Sequence, residues 1–246
     1  MTYAKFPAER LVKLSQIESS HFWFKARRHL VTRLLKRYRV SNSASIIDIG
    51  CGTGFTMRWL SDLGYNLICG TDGLPESVES AKIINPTKSI VLMAAENLQL
   101  EAAAYELALA LDVLEHTDDR LASAEVRRLL KPGGVFILTV PAVPSLWSVR
   151  DVNAGHLRRY SKVSLTEVLT EAGFKDVWVG YYCCLTFPLY LPRQLIGRNN
   201  THVRDFEESP SKMSNTILSW LSLMDCFLAT KIPFPVGASL FAVCRK

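Results

Sequence analysis

The segment Asp48-Ile49-Gly50-Cys51-Gly52-Thr53-Gly54 constrains the fold of this 246-residue chain more than any other. Ile46, Ile47 and Ile49 form a short apolar run around one acid, and glycines then fall at every second position. A buried strand of this kind has to end in a tight turn. Glycine lets the backbone take dihedrals that other residues avoid and leaves no Cβ in the way of a ligand. The turn predicts a helix over residues 54–63, whose first amide groups have no partner inside the helix and can face a ligand. A strand, turn and helix in this order predict a cofactor carrying adenosine.

Spacing narrows the choice of cofactor. A dinucleotide fingerprint runs Gly-x-Gly-x-x-Gly. Here Gly54 arrives one residue early, and Asp48 stands two residues before Gly50. An acid at the strand end repels phosphate and suits an ammonium. The pattern Asp-x-Gly-x-Gly-x-Gly resembles motif I of the class I S-adenosylmethionine-dependent methyltransferases. The resemblance places Asp48 beside the ammonium of the methionine moiety and Gly50, Cys51, Gly52 and Gly54 along the cofactor.

With 48% hydrophobic residues, the chain is long enough for one α/β core. No linker-like stretch or internal repeat divides it, so a single domain over residues 1–246 is expected. Residues 1–10 carry no apolar signal segment, and no apolar run has the roughly eighteen residues of a membrane span. The six cysteines form no C-x-x-C pair and have no histidine cluster beside them. They read as reduced core residues of a cytoplasmic protein, and no metal site is expected. A net charge of +6 favours anionic partners without choosing among them.

Strand signals alternate with helix signals, which predicts a mostly parallel sheet with helices on both faces. Strands are expected at residues 45–49, 66–71, 89–93, 106–111, 135–140, 177–182 and 238–243. Helices are expected at 75–84, 118–130 and 164–172, the last capped by Ser164 with Glu167 three residues on. Lys131-Pro132-Gly133-Gly134 reads as a turn that stops the second of these.

The resemblance covers most of the chain. Leu129-Leu130-Lys131-Pro132-Gly133-Gly134 looks like the family's Leu-Lys-Pro-Gly-Gly turn. Leu111-Asp112-Val113-Leu114-Glu115-His116 is similar to the segment after strand four in ubiquinone-biosynthesis-like members. The fold so implied is a three-layer, doubly wound α/β sheet of seven strands, order 3-2-1-4-5-7-6, with strand seven antiparallel. Asp72, at the end of strand two, is placed to take the ribose hydroxyls, with Gly73 beside it. Ala94 to Leu98 aligns with the adenine segment but lacks its usual aspartate, so adenine contact falls to the backbone near Ala95, or to Glu96 or Asn97. Leu111 and Asp112 close the methionine end. His21-Phe22-Trp23-Phe24-Lys25-Ala26-Arg27-Arg28 resembles the first helix of a subgroup common in sugar and lipid pathways. It predicts a helical lid over residues 1–40, with Arg28 meeting the methionine carboxylate.

Methyl transfer from a sulfonium needs alignment and, for a hydroxyl or amine acceptor, removal of a proton. His116 follows strand four, and His156 with Tyr160 follows strand five, where ligands of open α/β sheets bind. These three are the candidate catalytic residues. Arg158 and Arg159 are available to an acidic acceptor. The absence of an Asn-Pro-Pro-Tyr or Asp-Pro-Pro-Tyr segment after strand four argues against DNA. An insertion over residues 183–235 holds a candidate helix, 214–230, with Ile217, Trp220, Leu221, Met224, Phe227 and Leu228 on one face. That stripe predicts core or homodimer packing, or contact with a lipid-linked acceptor at the inner membrane surface. The expected activity is methyl transfer to a small-molecule or lipid-linked acceptor, at oxygen. RNA or protein methylation, and a non-catalytic cofactor-binding partner protein, are the alternatives.

Overall fold

A computed structural model describes residues 8–196 and 210–246. Two helices come first, α1 (Ala8–Ile17) and α2 (Phe22–Arg37). The strands are β1 (Ile46–Ile49), β2 (Ile68–Asp72), β3 (Ser89–Leu92), β4 (Tyr105–Leu111), β5 (Leu130–Pro141), β6 (Lys175–Tyr182) and β7 (Ser239–Arg245). Between them lie α3 (Phe55–Asp62), α4 (Pro75–Ile84), α5 (Asp119–Leu129), α6 (Val149–Asn153), α7 (Lys162–Glu171), α8 (Phe187–Ile196) and α9 (Lys212–Ala229). The sheet order is β3-β2-β1-β4-β5-β7-β6, with β7 antiparallel to both neighbours, as the resemblance implied.

Alternating side chains on the strands make two cores. Ile46, Leu107, Leu109, Ile137 and Phe241 pack under α2, α3, α4 and α9. Ile47, Ala108, Phe136, Leu138 and Ala242 pack under α5 and α7. Since every second residue of a strand points to the same face, both sets must be apolar in a sheet covered on both sides. The acids that interrupt the pattern, Asp48 and Asp112, sit at the carboxyl ends of β1 and β4, where such sheets bind ligands.

Three local expectations need correction. Lys131 to Gly134 does not separate helix from strand: β5 begins at Leu130, paired with Tyr105, and a bulge takes up the glycines before Val135 meets Leu107. The α7 cap is Ser161, whose hydroxyl accepts from the Ser164 amide, so the capping box starts three residues earlier than Ser164 and Glu167 imply. On α9 the buried residues are Leu218, Ser222, Asp225, Cys226 and Ala229. Ile217, Trp220, Met224 and Phe227 of the expected stripe face outward. Small residues let α9 lie close along α2, near enough for the Cys226 thiol to donate to the Ala26 carbonyl oxygen at 3.2 Å. The bulkier side chains are left on the opposite side.

Candidate active site

Gly50, Gly52 and Gly54 all have positive φ, at +64°, +54° and +80°. Two of them are also required by packing. A Cβ on Gly50 would lie 2.5 Å from Val113 Cγ2, and one on Gly54 would lie 2.8 Å from Ala81 Cα. Only at Gly52 would a Cβ meet nothing within 4 Å, so this is the glycine that keeps space open beside the turn. The Cys51 amide donates to Thr71 O and joins the turn to β2. Gly73 also borders open space, with only Ala94 Cα at 3.9 Å from an added Cβ.

Four carboxylates surround this turn. Asp48 is 2% exposed and its Oδ2 has no hydrogen-bond partner. Burial pushes its pKa up to about 7; the Arg27 charge opposes this, and Asp72 and Glu18 add to it. Asp72 accepts the Gly52 amide at Oδ2 and the Leu74 amide at Oδ1, each at 2.9 Å, so it ties the turn to the β2–α4 loop. Burial raises its pKa despite those bonds. Asp112, with φ +61°, accepts from Arg27 Nη1 at 2.6 Å and from the Thr139 hydroxyl at 3.0 Å. Arg27 also donates to the Leu111 carbonyl. Glu18, in the α1–α2 connection, accepts from the Thr53 hydroxyl and joins that connection to the turn.

Arg28, the arginine expected at the methionine end, is turned the other way. It donates to the carbonyls of Glu18 and Ser19 and stacks on Phe55, 4.8 Å from the ring centre. The guanidinium that reaches the end of β4 belongs to Arg27. In the segment expected to meet adenine, Ala95 is buried, and Glu96 accepts the Asp118 amide at 3.0 Å where α5 begins.

The expected acceptor side is one connected cluster. His116 and His156 meet edge to face, ring centres 4.9 Å apart. His116 Nδ1 lies 3.0 Å from Gly155 O, and His156 Nδ1 lies 2.9 Å from Asp151 Oδ1. Both partners only accept when Asp151 is ionised. Burial opposes that ionisation, but the bond to His156 and the charge of Arg159 win, and the Asp151 carboxyl is held below its usual range. Each Nδ1 therefore faces an acceptor to which it can donate. Tyr160 is buried and donates to Asp119 Oδ2 at 2.7 Å, which places it under the loop after β4. Arg158 pairs with that same Asp119 oxygen and Arg159 with Asp151, both at 2.8 Å, so each has a carboxylate partner inside the chain. From the insertion, the Tyr190 hydroxyl on α8 accepts from Arg159 Nη2.

Glu115 had no assigned role from sequence. It is 1% exposed, and neither carboxylate oxygen has a hydrogen-bond partner. Burial, then the nearby Asp112 charge, push its pKa well up. One donor atom from each of Glu115, His116 and His156 fit within 4.8 Å of one another. Glu18 and Thr53, joined by a hydrogen bond beside the turn, likewise had no assigned role from sequence. Only position, not residue type, distinguishes them from ordinary surface polar groups.

The family described as "Methyltransferase domain" matches residues 20–179. A probable S-adenosylmethionine-dependent methyltransferase of Mycolicibacterium smegmatis is 28% identical over 162 residues, 65% of this chain and 62% of that one. A ubiquinone biosynthesis O-methyltransferase of Cereibacter sphaeroides is 31% identical over 121 residues, 47% of this chain and 49% of that one. The match thus spans from about half to three-fifths of those relatives' own length. Among solved structures, Haemonchus contortus phosphoethanolamine N-methyltransferase 2, in complex with S-adenosyl-L-methionine, matches 98% of this chain and 57% of its own. Its TM-score is 0.65 and its identity 16%, a likeness of fold.

Proposed function

The chain belongs to the methyltransferase domain family, and from that premise we propose that it is an enzyme that transfers a methyl group from S-adenosylmethionine to a small-molecule or lipid-linked acceptor at oxygen. The carrying observation is the buried Asp48 carboxylate, orphaned at Oδ2 beside a turn whose Gly52 opens onto free space. A buried anion without a partner is costly, and an ammonium would satisfy it. The residues present fit the cofactor. Asp48 and the Arg27–Asp112 pair would hold its methionine end, Gly50 to Gly54 its middle, Asp72 and Gly73 its ribose, and Ala95 its adenine. When bound, S-adenosylmethionine supplies an activated methyl and leaves as S-adenosylhomocysteine.

The chain's own part is to align and to take up a proton. In the neutral tautomer that donates from Nδ1, His116 and His156 carry the lone pair on Nε2 at the carboxyl ends of β4 and β5, and in that form either can take a proton from an acceptor hydroxyl. Asp151 fixes the tautomer of His156. Tyr160 is a positioning residue in this reading, acting through Asp119 and the Leu114 carbonyl. In this reading the described residues work as one domain, with α1 and α2 as a lid and α8 and α9 in an insertion; residues 1–7 and 197–209 of the expected lid and insertion lie outside the described residues. Through Tyr190, that insertion reaches the acceptor loop.

The outer face of α9 supports a lipid surface as its seat. Met213, Ile217, Trp220, Met224 and Phe227 are exposed along it. Lys231 and Arg33 lie over the Phe227 ring, and the helix's one acid, Asp225, is buried. An apolar face bordered by cations fits anionic headgroups. Among the described residues no helix is long and apolar enough to cross a membrane.

Calorimetry with S-adenosylmethionine and S-adenosylhomocysteine tests the core of the proposal. Saturable binding of both is expected; folded protein that takes up neither refutes it. Screening extracts for a product heavier by one methyl then identifies the acceptor.

A further inference from the structure

We propose that Glu115, His116 and His156 form a binding site for a divalent first-row transition-metal cation, such as Zn²⁺ or Mn²⁺, on the acceptor side of the fold.

Two imidazoles and one carboxylate are a donor set for such ions, whereas Mg²⁺ and Ca²⁺ prefer all-oxygen surroundings. The three residues come from two loops, Glu115 and His116 from the short turn after β4 and His156 from the segment after α6. Their donor atoms nevertheless fit within 4.8 Å of one another. Ligands around a tetrahedral zinc ion stand about 3.4 Å apart, so small side-chain rotations complete the set.

Two further observations are independent of that proximity. Glu115 is buried with both oxygens unpartnered, and a buried carboxylate is retained at such cost only where something compensates it. Each histidine is also oriented as metal-binding histidines are. His116 Nδ1 is directed at the Gly155 carbonyl and His156 Nδ1 at the Asp151 carboxylate. An acceptor behind Nδ1 fixes the ring, sets the tautomer with the lone pair on Nε2, and raises its basicity. The Glu115 carbonyl accepts the Leu157 amide at 2.7 Å, which locks the two loops in register.

The site's existence does not depend on methyl transfer; its catalytic role does. Under that reading the cation would bind the acceptor oxygen and lower the pKa of its proton, a task that would otherwise fall to a histidine base.

The test uses the full chain, stripped with chelator and titrated by calorimetry with Zn²⁺, Mn²⁺ and Mg²⁺. Co²⁺ is added separately for its visible absorption. The proposal expects one Zn²⁺ or Mn²⁺ per chain, weaker Mg²⁺, and Co²⁺ bands typical of nitrogen and oxygen donors. His156→Ala should weaken binding at least a hundredfold, and Glu115→Gln, which keeps the shape, at least tenfold. Asp151→Asn, behind the ligand, should cost about ten- to a hundredfold. His29→Ala, on α2, should change nothing. Added cation should raise the melting temperature of the wild type and not that of Glu115→Gln. Absence of saturable binding overturns the site, as does binding that survives both His156→Ala and Glu115→Gln. S-adenosylmethionine binding is measured in parallel. Cation binding without cofactor binding would sink the methyl-transfer proposal and leave the site standing; the reverse would sink only the site.

Discussion

Arg27 Nη1 and Asp112 Oδ2 lie 2.6 Å apart, joining the middle of α2 to the end of β4 across 85 residues of chain. Burial opposes the charge on Arg27, and Asp112, Tyr182 and Glu18 together more than restore it. Removing one partner of such a pair strands the other and costs roughly 3–5 kcal/mol. Arg27→Ala is therefore expected to lower stability by about that much in urea unfolding and to weaken S-adenosylmethionine binding in calorimetry. Arg28→Ala, which loses only carbonyl contacts and a ring contact, should change both far less.

Asp48 predicts a pH dependence whose sign follows from its raised pKa. The folded, cofactor-free chain holds this proton up to about pH 7, while the unfolded chain loses it near 3.8. Stability from this group is thus full below the lower value and declines between the two, by about 4 kcal/mol in all, before levelling off. Asp48→Asn should be more stable than the wild type at pH 8 and no more stable at pH 4, by thermal melting. If an ammonium pairs with Asp48, wild-type affinity for S-adenosylmethionine should rise with pH up to about 7, and calorimetry in buffers of different ionisation enthalpy should register proton release. The asparagine variant should bind weakly at every pH.

Asp72 holds the Gly52 and Leu74 amides on separate oxygens. A hydrogen bond to a charged group contributes about 1.5–3 kcal/mol. Asp72→Ala should lose both bonds and more than tenfold in cofactor affinity. Asp72→Asn keeps one acceptor oxygen and should fall between. Equal losses in the two variants would mean the carboxylate serves only as a charge.

His116→Ala and His156→Ala should each lower turnover by about 10²–10⁴-fold while leaving the dissociation constant for S-adenosylmethionine within a few-fold. Asp151→Asn can present an amide to His156 Nδ1, which moves the proton to Nε2 and should lower kcat more than it changes KM. Neither histidine substitution affecting turnover would place proton removal elsewhere.

The α9 stripe should carry the chain onto vesicles containing phosphatidylglycerol, with a blue shift of Trp220 emission that weakens as salt is added. Trp220→Ser with Met224→Ser should abolish flotation and leave cofactor binding intact. Self-association at micromolar concentration, relieved by the same pair and without vesicle binding, would assign the face to a second copy of the chain.

Much of this arrangement could be read from the sequence because it depends on backbone. The glycine turn and the placement of Asp48, Asp72 and Asp112 near strand ends follow from the local residue pattern, whereas the strand order is legible only through the family resemblance. Side-chain direction was harder. Arg27 and Arg28 are adjacent, and on a helix adjacent residues diverge by about 100°, so composition alone does not say which one reaches Asp112. Ser161 and Ser164 are equally good caps by type, and only the backbone entering α7 separates them. On α9, the core-packing reading of the stripe failed because closeness to α2 favours small residues over large ones, leaving Ile217, Trp220, Met224 and Phe227 outward. Glu115 gave no signal, since an acid in a short turn reads as solvated until the second loop covers it.

The packing of α9 against α2 bears on protein engineering. Asn215 accepts the Phe22 amide and donates to the Ser20 carbonyl, while Arg33 and Arg37 both donate to Thr230. Segments nearly two hundred residues apart therefore behave as one part. A chimera meant to exchange acceptor preference by transplanting residues 183–235 from a relative would meet a foreign surface at α2. Because α2 also carries Arg27, the mismatch would pass to the donor side. The unit of exchange is discontinuous: a transplant must bring residues 20–37 with the insertion or redesign the seam between them.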